Sequence, residues 1–482
     1  MNQMSQRSQT TLPERVGSRR QLLNQFGGGF AATAAAAVLG SDRQRGTHFP
    51  PHAHAVIQIF CPGGLSQIDT FDHKPELTRR NGTPFDSEGV LQFFASKPGA
   101  CRGSFWRFRQ HGESGLWMSE LLPRLSRCVD DMAFVYSMKS RTALHGPACF
   151  MMNTGFTLPG FPAMGSWLTY GLGSAADDLP GFVVLPDQRG LPPGGVINWG
   201  AGFLPAEFQG TPLNLSDIRC PLPDLFPPDG YTSGALAEQQ GLQLLDRLNR
   251  RHLQLDRSES ELEARIRAYE MAARLQLSAP EAADLTQEST ATAKLYHLQH
   301  PEAGGFGRQC LLARRLVERG VRFVQIYCGA ENTTARRIRP NWDSHEDLPR
   351  DHGYWGDVLD RGAAGLLQDL RERGMLDQTL VICTTEFGRQ PAGQGANALG
   401  RDHNGDAFTA WLAGGGIRGG TAYGATDELG YQAVDQVTMS YDLHATALHL
   451  LGIDHTRLTW YHNGIERRLT DVHGHVIREL LH

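Results

Sequence analysis

Two kinds of hydrophobic run alternate along this chain. Short runs rich in Val, Ile, Leu and aromatic residues occupy positions 56–60, 132–136, 182–185, 321–327, 380–384 and 407–412. Runs of that length, several of them bounded by Gly or Pro, predict buried strands. Between them, residues 306–320 and 359–374 carry apolar positions at helical spacing and end in Gly, and 442–451 continues the helical pattern. The alternation predicts an α/β fold: a three-layer sandwich with a mostly parallel central sheet. Two segments depart from it. Residues 190–230 are dense in Gly and Pro and read as an irregular insertion, at the surface or over the site. In 235–300, Leu242, Leu245, Leu248, Leu255, Leu262, Ile266 and Tyr269 recur at helical spacing among charges, which predicts a helical insertion.

The amino-terminal residues have a different character. Arg7, Arg15, Arg19 and Arg20 face only Glu14, and residues 21–41 carry no charge and are rich in Ala and Gly. A basic segment followed by a weakly apolar one is the export pattern. The twin arginines of Ser18-Arg19-Arg20-Gln21-Leu22-Leu23 resemble a Tat signal. The expectation is a signal and linker over 1–41, one α/β domain over 50–480, and a periplasmic or otherwise extracytoplasmic destination. No later stretch is apolar enough for a membrane span.

Charge narrows the partners. Lys plus Arg number 46 against 51 Asp plus Glu, a net charge of −5, which excludes a strongly basic nucleic-acid binder. The eight cysteines show no CxxC spacing, so a zinc ribbon is not expected, and Cys310, Cys328 and Cys383 sit in apolar runs as core thiols.

The candidate chemistry lies beyond the predicted strands, where open α/β sheets bind ligands. Asp69 and Asp72 follow the first strand and its Pro62-Gly63-Gly64 turn. His145 follows the second. Asp343 and His345 follow the strand at 321–327. Glu386 follows the strand at 380–384, and Asp402 and His403 come shortly after. Mixed carboxylates and imidazoles suit a divalent metal such as Zn, Mn, Mg or Ca. The expected metal ligands are Asp69, Asp343, His345, Glu386, Asp402 and His403. His145 would be a further ligand, a nucleophile or a general acid/base, with Arg389 and Arg401 positioned to clamp an anion. His52, His54, His352, His449, His473 and His475 read as surface or structural.

The motifs GGLSQIDTFDHKP, HGPACFMMNTG, GSWLTYGLGS, LPGFVVLP, FGRQCLLARRLVERGVRFVQIY, TTEFGRQP, GRDHN, WLAGGGIRGGTAYGATDE and DLHATALHLLGI together resemble the domain of unknown function 1501 family. That family is related to sulfatases within the alkaline phosphatase superfamily. The resemblance covers about residues 50–480 and implies a sulfatase-like fold. It implies that HGPACFMMNTG occupies the sulfatase nucleophile segment, with Pro147 as its proline, Thr154-Gly155 as its close and His145 at the nucleophile position. It also implies that Glu386 is a metal carboxylate and that Phe387 replaces a histidine. The helix from Asp442 to Gly452 matches a structural helix of sulfatases. A formylglycine mechanism needs Cys or Ser where His145 stands, so the chemistry left is metal-activated water, a phosphohistidine on His145, or none. The resulting expectation is an exported metal-dependent hydrolase of phosphate or sulfate esters, acting on an anionic small molecule or polysaccharide. The alternative is a non-catalytic binding or assembly protein that retains at most a structural metal.

Overall fold

The computed structural model describes residues 46–85, 98–176, 178–213, 284–331, 338–394 and 399–482, with Leu244, Arg247 and Leu248. The predicted signal at 1–41 and most of the leucine-periodic stretch at 235–283 lie outside the described residues. Next in the chain come a short 3-10 turn, Leu285–Gln287, and a helix, Thr290–Leu295.

Eight strands form the central sheet: β1 (Ala55–Phe60), β2 (Met132–Met138), β3 (Phe182–Leu185), β4 (Thr211–Pro212), β5 (Phe323–Tyr327), β6 (Thr379–Thr384), β9 (Phe408–Ala413) and β10 (Thr421–Tyr423). A separate two-stranded ribbon, β7 (Gly388–Arg389) and β8 (His403–Asn404), sits between β6 and β9 in the chain. Across the sheet the order is β10-β2-β9-β6-β1-β5-β3-β4. Every neighbouring pair is parallel except those made by β9, which runs antiparallel to both β2 and β6.

β1, β5 and β6 are buried along their whole length. Both faces of these central strands are covered, which is why they read as apolar runs almost throughout. Ile57 and Ile59 face one layer, with α4 (Gly304–Glu318) and α5 (Leu348–Glu372). Val56 and Phe60 face the other, with α2 (His145–Thr154), α3 (Met164–Leu172) and α6 (Ser440–Leu450). A single-turn helix, α1 (Gln67–Thr70), follows β1. The result is the expected three-layer α/β sandwich. No helix among the described residues is long and apolar enough to cross a membrane.

Gln58 and Gln325 break the apolar pattern in register with each other on adjacent strands. Gln325 donates to Gln58 Oε1 (3.2 Å) and to Asn153 Oδ1 of α2 (2.9 Å), and Asn153 donates to Asn198 (3.0 Å). The buried amides thus satisfy most of one another's donors and acceptors, with Gln325 Oε1 left without a partner. The 190–199 segment, predicted as irregular, joins this network through Asn198 and contributes a buried Trp199. The seven described cysteines are free and buried, and burial raises the Cys61, Cys149, Cys310 and Cys328 thiols above their usual range. They are core thiols rather than nucleophiles.

Candidate metal centre

The turn after β1 lets the site close. Gly63 has φ +106°, and a Cβ there would meet Asp343 N at 2.5 Å and Trp342 N at 2.7 Å, so only glycine admits the 341–343 loop. Gly63 N donates to Glu386 Oε1 (2.8 Å) just beyond β6. Three strand ends are thereby tied together. The ribbon β7-β8 brings in a fourth, because β9 is reversed. The segment entering β9 therefore lies at the same edge as the segments leaving its parallel neighbours.

Asp343 is the centre of the cluster. Its Oδ1 lies 2.8 Å from His345 Nε2, 3.1 Å from His403 Nε2, 3.4 Å from His145 Nε2 and 2.6 Å from Arg389 Nη2. The Nε2 atoms of His345 and His403 are 3.0 Å apart. His145 is the first residue of α2, and its Nδ1 lies 2.6 Å from Glu386 Oε1, which is wholly buried. His403 Nδ1 lies 2.8 Å from Ala143 O. His345 Nδ1 lies 3.8 Å from Asp402 Oδ1, too far for a hydrogen bond. Each imidazole thus presents Nε2 inward and turns Nδ1 toward an oxygen. That is the arrangement by which outer carboxylates and carbonyls orient metal-bound histidines.

The donor set fits a cation. His403 Nδ1 must donate to a carbonyl, so a neutral ring leaves the Nε2 lone pair facing Asp343 Oδ1. Burial keeps that ring neutral, lowering His403 to about 4 against the pull of the Asp343 charge. Two acceptors then meet with no proton between them. His145 Nε2 is buried without a hydrogen-bond partner. Ligand atoms of His145, Asp343 and His403 all lie within 4.8 Å of one another.

Residues 53–481 match the family described as Protein of unknown function (DUF1501). The chain belongs to this family. No curated protein matches this DUF1501 chain. Among solved structures, the PsFucS1 sulfatase from Pseudoalteromonas sp. is 13% identical, with a TM-score of 0.33 over 90% of this chain and 76% of its own. The phosphonate monoester hydrolase from Silicibacter pomeroyi is 13% identical, with a TM-score of 0.31 over 69% and 68%. The alkaline phosphatase from the Antarctic bacterium TAB5 is 11% identical, with a TM-score of 0.29 over 77% and 94%. Similarity at this level carries no chemistry over to the DUF1501 chain.

Of the residues expected from the sequence, His145, Asp343, His345, Glu386 and His403 come together, with Asp402 at the margin. Asp69 does not join them. Its carboxylate accepts from Arg401 Nε (2.7 Å) and Ser66 Oγ (2.5 Å), and both Asp69 and Arg401 are wholly buried. Neither is available to a metal or an anion. Arg389 is also no anion clamp. Its Nε donates to Gly64 O (2.9 Å), its Nη1 to Arg401 O (2.9 Å) and its Nη2 to Gly63 O and Asp343. It fixes Asp343 instead. Burial works against the Asp343 charge, but Arg389 and the imidazoles hold its carboxyl well below the usual range. Asp72 is paired with Lys74 (2.9 Å) and Thr426, outside the cluster. His352, read from the sequence as surface or structural, is buried, and its Nε2 accepts from Ser66 N (3.1 Å) in the turn that carries Asp69. The Asp351-His352 pair lies among glycines that hide the helical period.

Opposed histidine shifts set a pH prediction for the metal-free protein. Burial disfavours charge on His145, but the nearby Asp343 carboxylate and the hydrogen bond and charge of Glu386 outweigh it and raise the ring to about 9. The stability this contributes is complete below pH 6.5 and is lost as pH rises through about 9. Burial lowers His403 and His444 to about 4 and His352 to about 3, so their contribution is complete above pH 6.5 and lost as pH falls toward those values. Urea unfolding in chelator is expected to show maximum stability near neutrality. Each group should remove at most roughly 1.4 kcal/mol for every pH step of one crossed between its unfolded and folded pKa. Added metal should remove the alkaline loss, because the ion displaces the His145 proton. A flat profile between neutrality and pH 9 would mean that His145 does not contact the two carboxylates in solution.

Proposed function

We propose that this DUF1501 chain is a metal-dependent hydrolase of phosphate or sulfate esters that works without a formylglycine. The observation that carries the reading is the convergence of three imidazole Nε2 atoms on Asp343, with Glu386 and Ala143 O behind two of the rings. His145, Asp343 and His403 would hold the ion, with His345 beside them. Imidazole with carboxylate favours zinc or manganese over calcium. Bound there, the metal would polarise the ester oxygen and lower the pKa of a water. Glu386 orients His145 and takes its Nδ1 proton in a hydrogen bond. Arg389 keeps Asp343 ionised and in place. Phe387 packs against the rings of both His145 (4.9 Å) and His403 (4.6 Å), which meet each other at 4.4 Å. The amino-terminal segment supports export, with action outside the cytoplasm.

One observation favours a second reading, a binding protein that retains its metal. The Arg389 and Arg401 guanidiniums point inward to carboxylates and carbonyls, which leaves an anionic substrate the metal, the N-terminus of α2 and the partly exposed Arg339. Metal content of the purified protein by mass spectrometry, beside His403→Ala and Glu386→Gln, is the first test. One bound ion per chain is expected in the wild type, and a loss of affinity on the order of 10–100-fold in Glu386→Gln. A screen of phosphate and sulfate esters on the loaded protein follows. Bound metal with no turnover would select the binding role. A wild type that takes up no metal would end the hydrolase reading.

A further inference from the structure

Five of the large apolar side chains that remain exposed lie around the metal centre. Leu144, 44% exposed, immediately precedes His145. Leu191, Val196 and Ile197, at 44%, 54% and 38%, lie on the segment packed against the first turns of α2. There Gly194 N is 4.0 Å from the Cβ position of Gly146, and the Phe150 ring lies against Gly194. Leu399, 43% exposed, lies against the segment that follows His345. Its N–H donates to Glu346 O (3.0 Å), and the next residue, Gly400, packs directly on the His345 backbone. Folding alone gives no reason to crowd apolar side chains at one rim. A concentration of this kind marks a surface that something apolar covers.

The charges there point the same way. Arg389 is held by Asp343 (2.6 Å) and Arg401 by Asp69 (2.7 Å), both arginines wholly buried, while the half-buried Arg339 stands 3.8 Å from Asp343 and 4.0 Å from Glu346. A polyanionic chain lying across this mouth would find carboxylates and leucines beside the single guanidinium of Arg339 among the described residues.

We propose that the ester processed here carries an apolar alkyl or aryl group, covered by Leu144, Leu191, Val196, Ile197 and Leu399 while its acid group meets the metal. This inference rests on the hydrolase reading above. Each methylene brought under the rim strengthens binding roughly fourfold. A short alkyl ester therefore gains over a glycerol ester of the same acid.

The test compares hexyl with glycerol esters of phosphate and of sulfate on metal-loaded wild type and on the Val196→Ser/Ile197→Ser double variant. Hexyl esters are expected to show kcat/KM at least about tenfold higher. The double variant should lose most of that preference, with glycerol-ester turnover and metal content unchanged. Equal kcat/KM for the two alcohols, or a preference that survives the double substitution, would overturn the inference. If metal binds and no ester is cleaved, the hydrolase reading fails separately. Calorimetry with hexyl phosphate then reads the rim: binding by wild type that the double variant loses supports it, and equal or absent binding refutes it.

Discussion

Asp343→Asn is expected to abolish metal binding and to reduce ester hydrolysis by about a thousandfold or more. One oxygen of Asp343 meets three imidazoles and Arg389. The amide keeps the size and removes the charge. Arg389, wholly buried, then loses its one carboxylate among the described residues, and keeps the carbonyls of Gly63, Gly64, Trp342 and Arg401. Removing one partner of a buried, hydrogen-bonded ion pair costs about 3–5 kcal/mol. The exposed edge of this cluster should bring the cost toward the lower figure. Two readouts separate the roles. Metal content by mass spectrometry reads the ligand, and urea unfolding in chelator reads the ion pair. A variant with full metal content would remove Asp343 from the ligand set, whatever its effect on stability.

Arg401→Met is expected to lower the unfolding free energy by about 3–5 kcal/mol at neutral pH. The Asp69–Arg401 pair has no exposure on either side chain, and Arg401 also donates to Gly103 O (3.1 Å). Burial alone would push the Asp69 carboxyl up, and Arg401 outweighs it and holds it low. Without Arg401 the carboxylate is stranded. Its pKa should then rise, so the deficit of the variant should shrink as pH falls toward the carboxylate range. The double variant Asp69→Leu/Arg401→Met should recover much of the loss, because no charge is left buried. Urea unfolding of both variants checks this. A cost below about 1 kcal/mol for Arg401→Met would show that the pair is solvated. Either variant should keep its metal, since the pair stands apart from the cluster.

The sequence was legible where one physical rule acted alone. Strands buried on both faces must be apolar almost throughout, and β1, β5 and β6 were recognisable for that reason. Chain that leaves a parallel strand emerges at one edge of the sheet, so His145, Asp343, His345 and Glu386 could be grouped without coordinates. Helices packed on every side are less legible. In α2 and α3 nearly every residue is buried. They have no polar face to mark a 3.6-residue period. The helix predicted from 359 begins at Leu348, behind an Asp347 cap and a proline in its first turn. Gly353 and Gly356, with buried Asp351 and His352, obscure its first turns.

By itself, then, the sequence determined a layered α/β chain of this family, with imidazoles and carboxylates gathered at the strand ends. Only the tertiary structure decided which of them meet. His403 reaches the cluster because β9 runs backward, a direction that no local pattern encodes. Asp69 leaves it because Arg401, far away in the chain, is buried beside it. A charge removed from water must be neutralised by its nearest opposite charge, and distance in space is set by the whole fold.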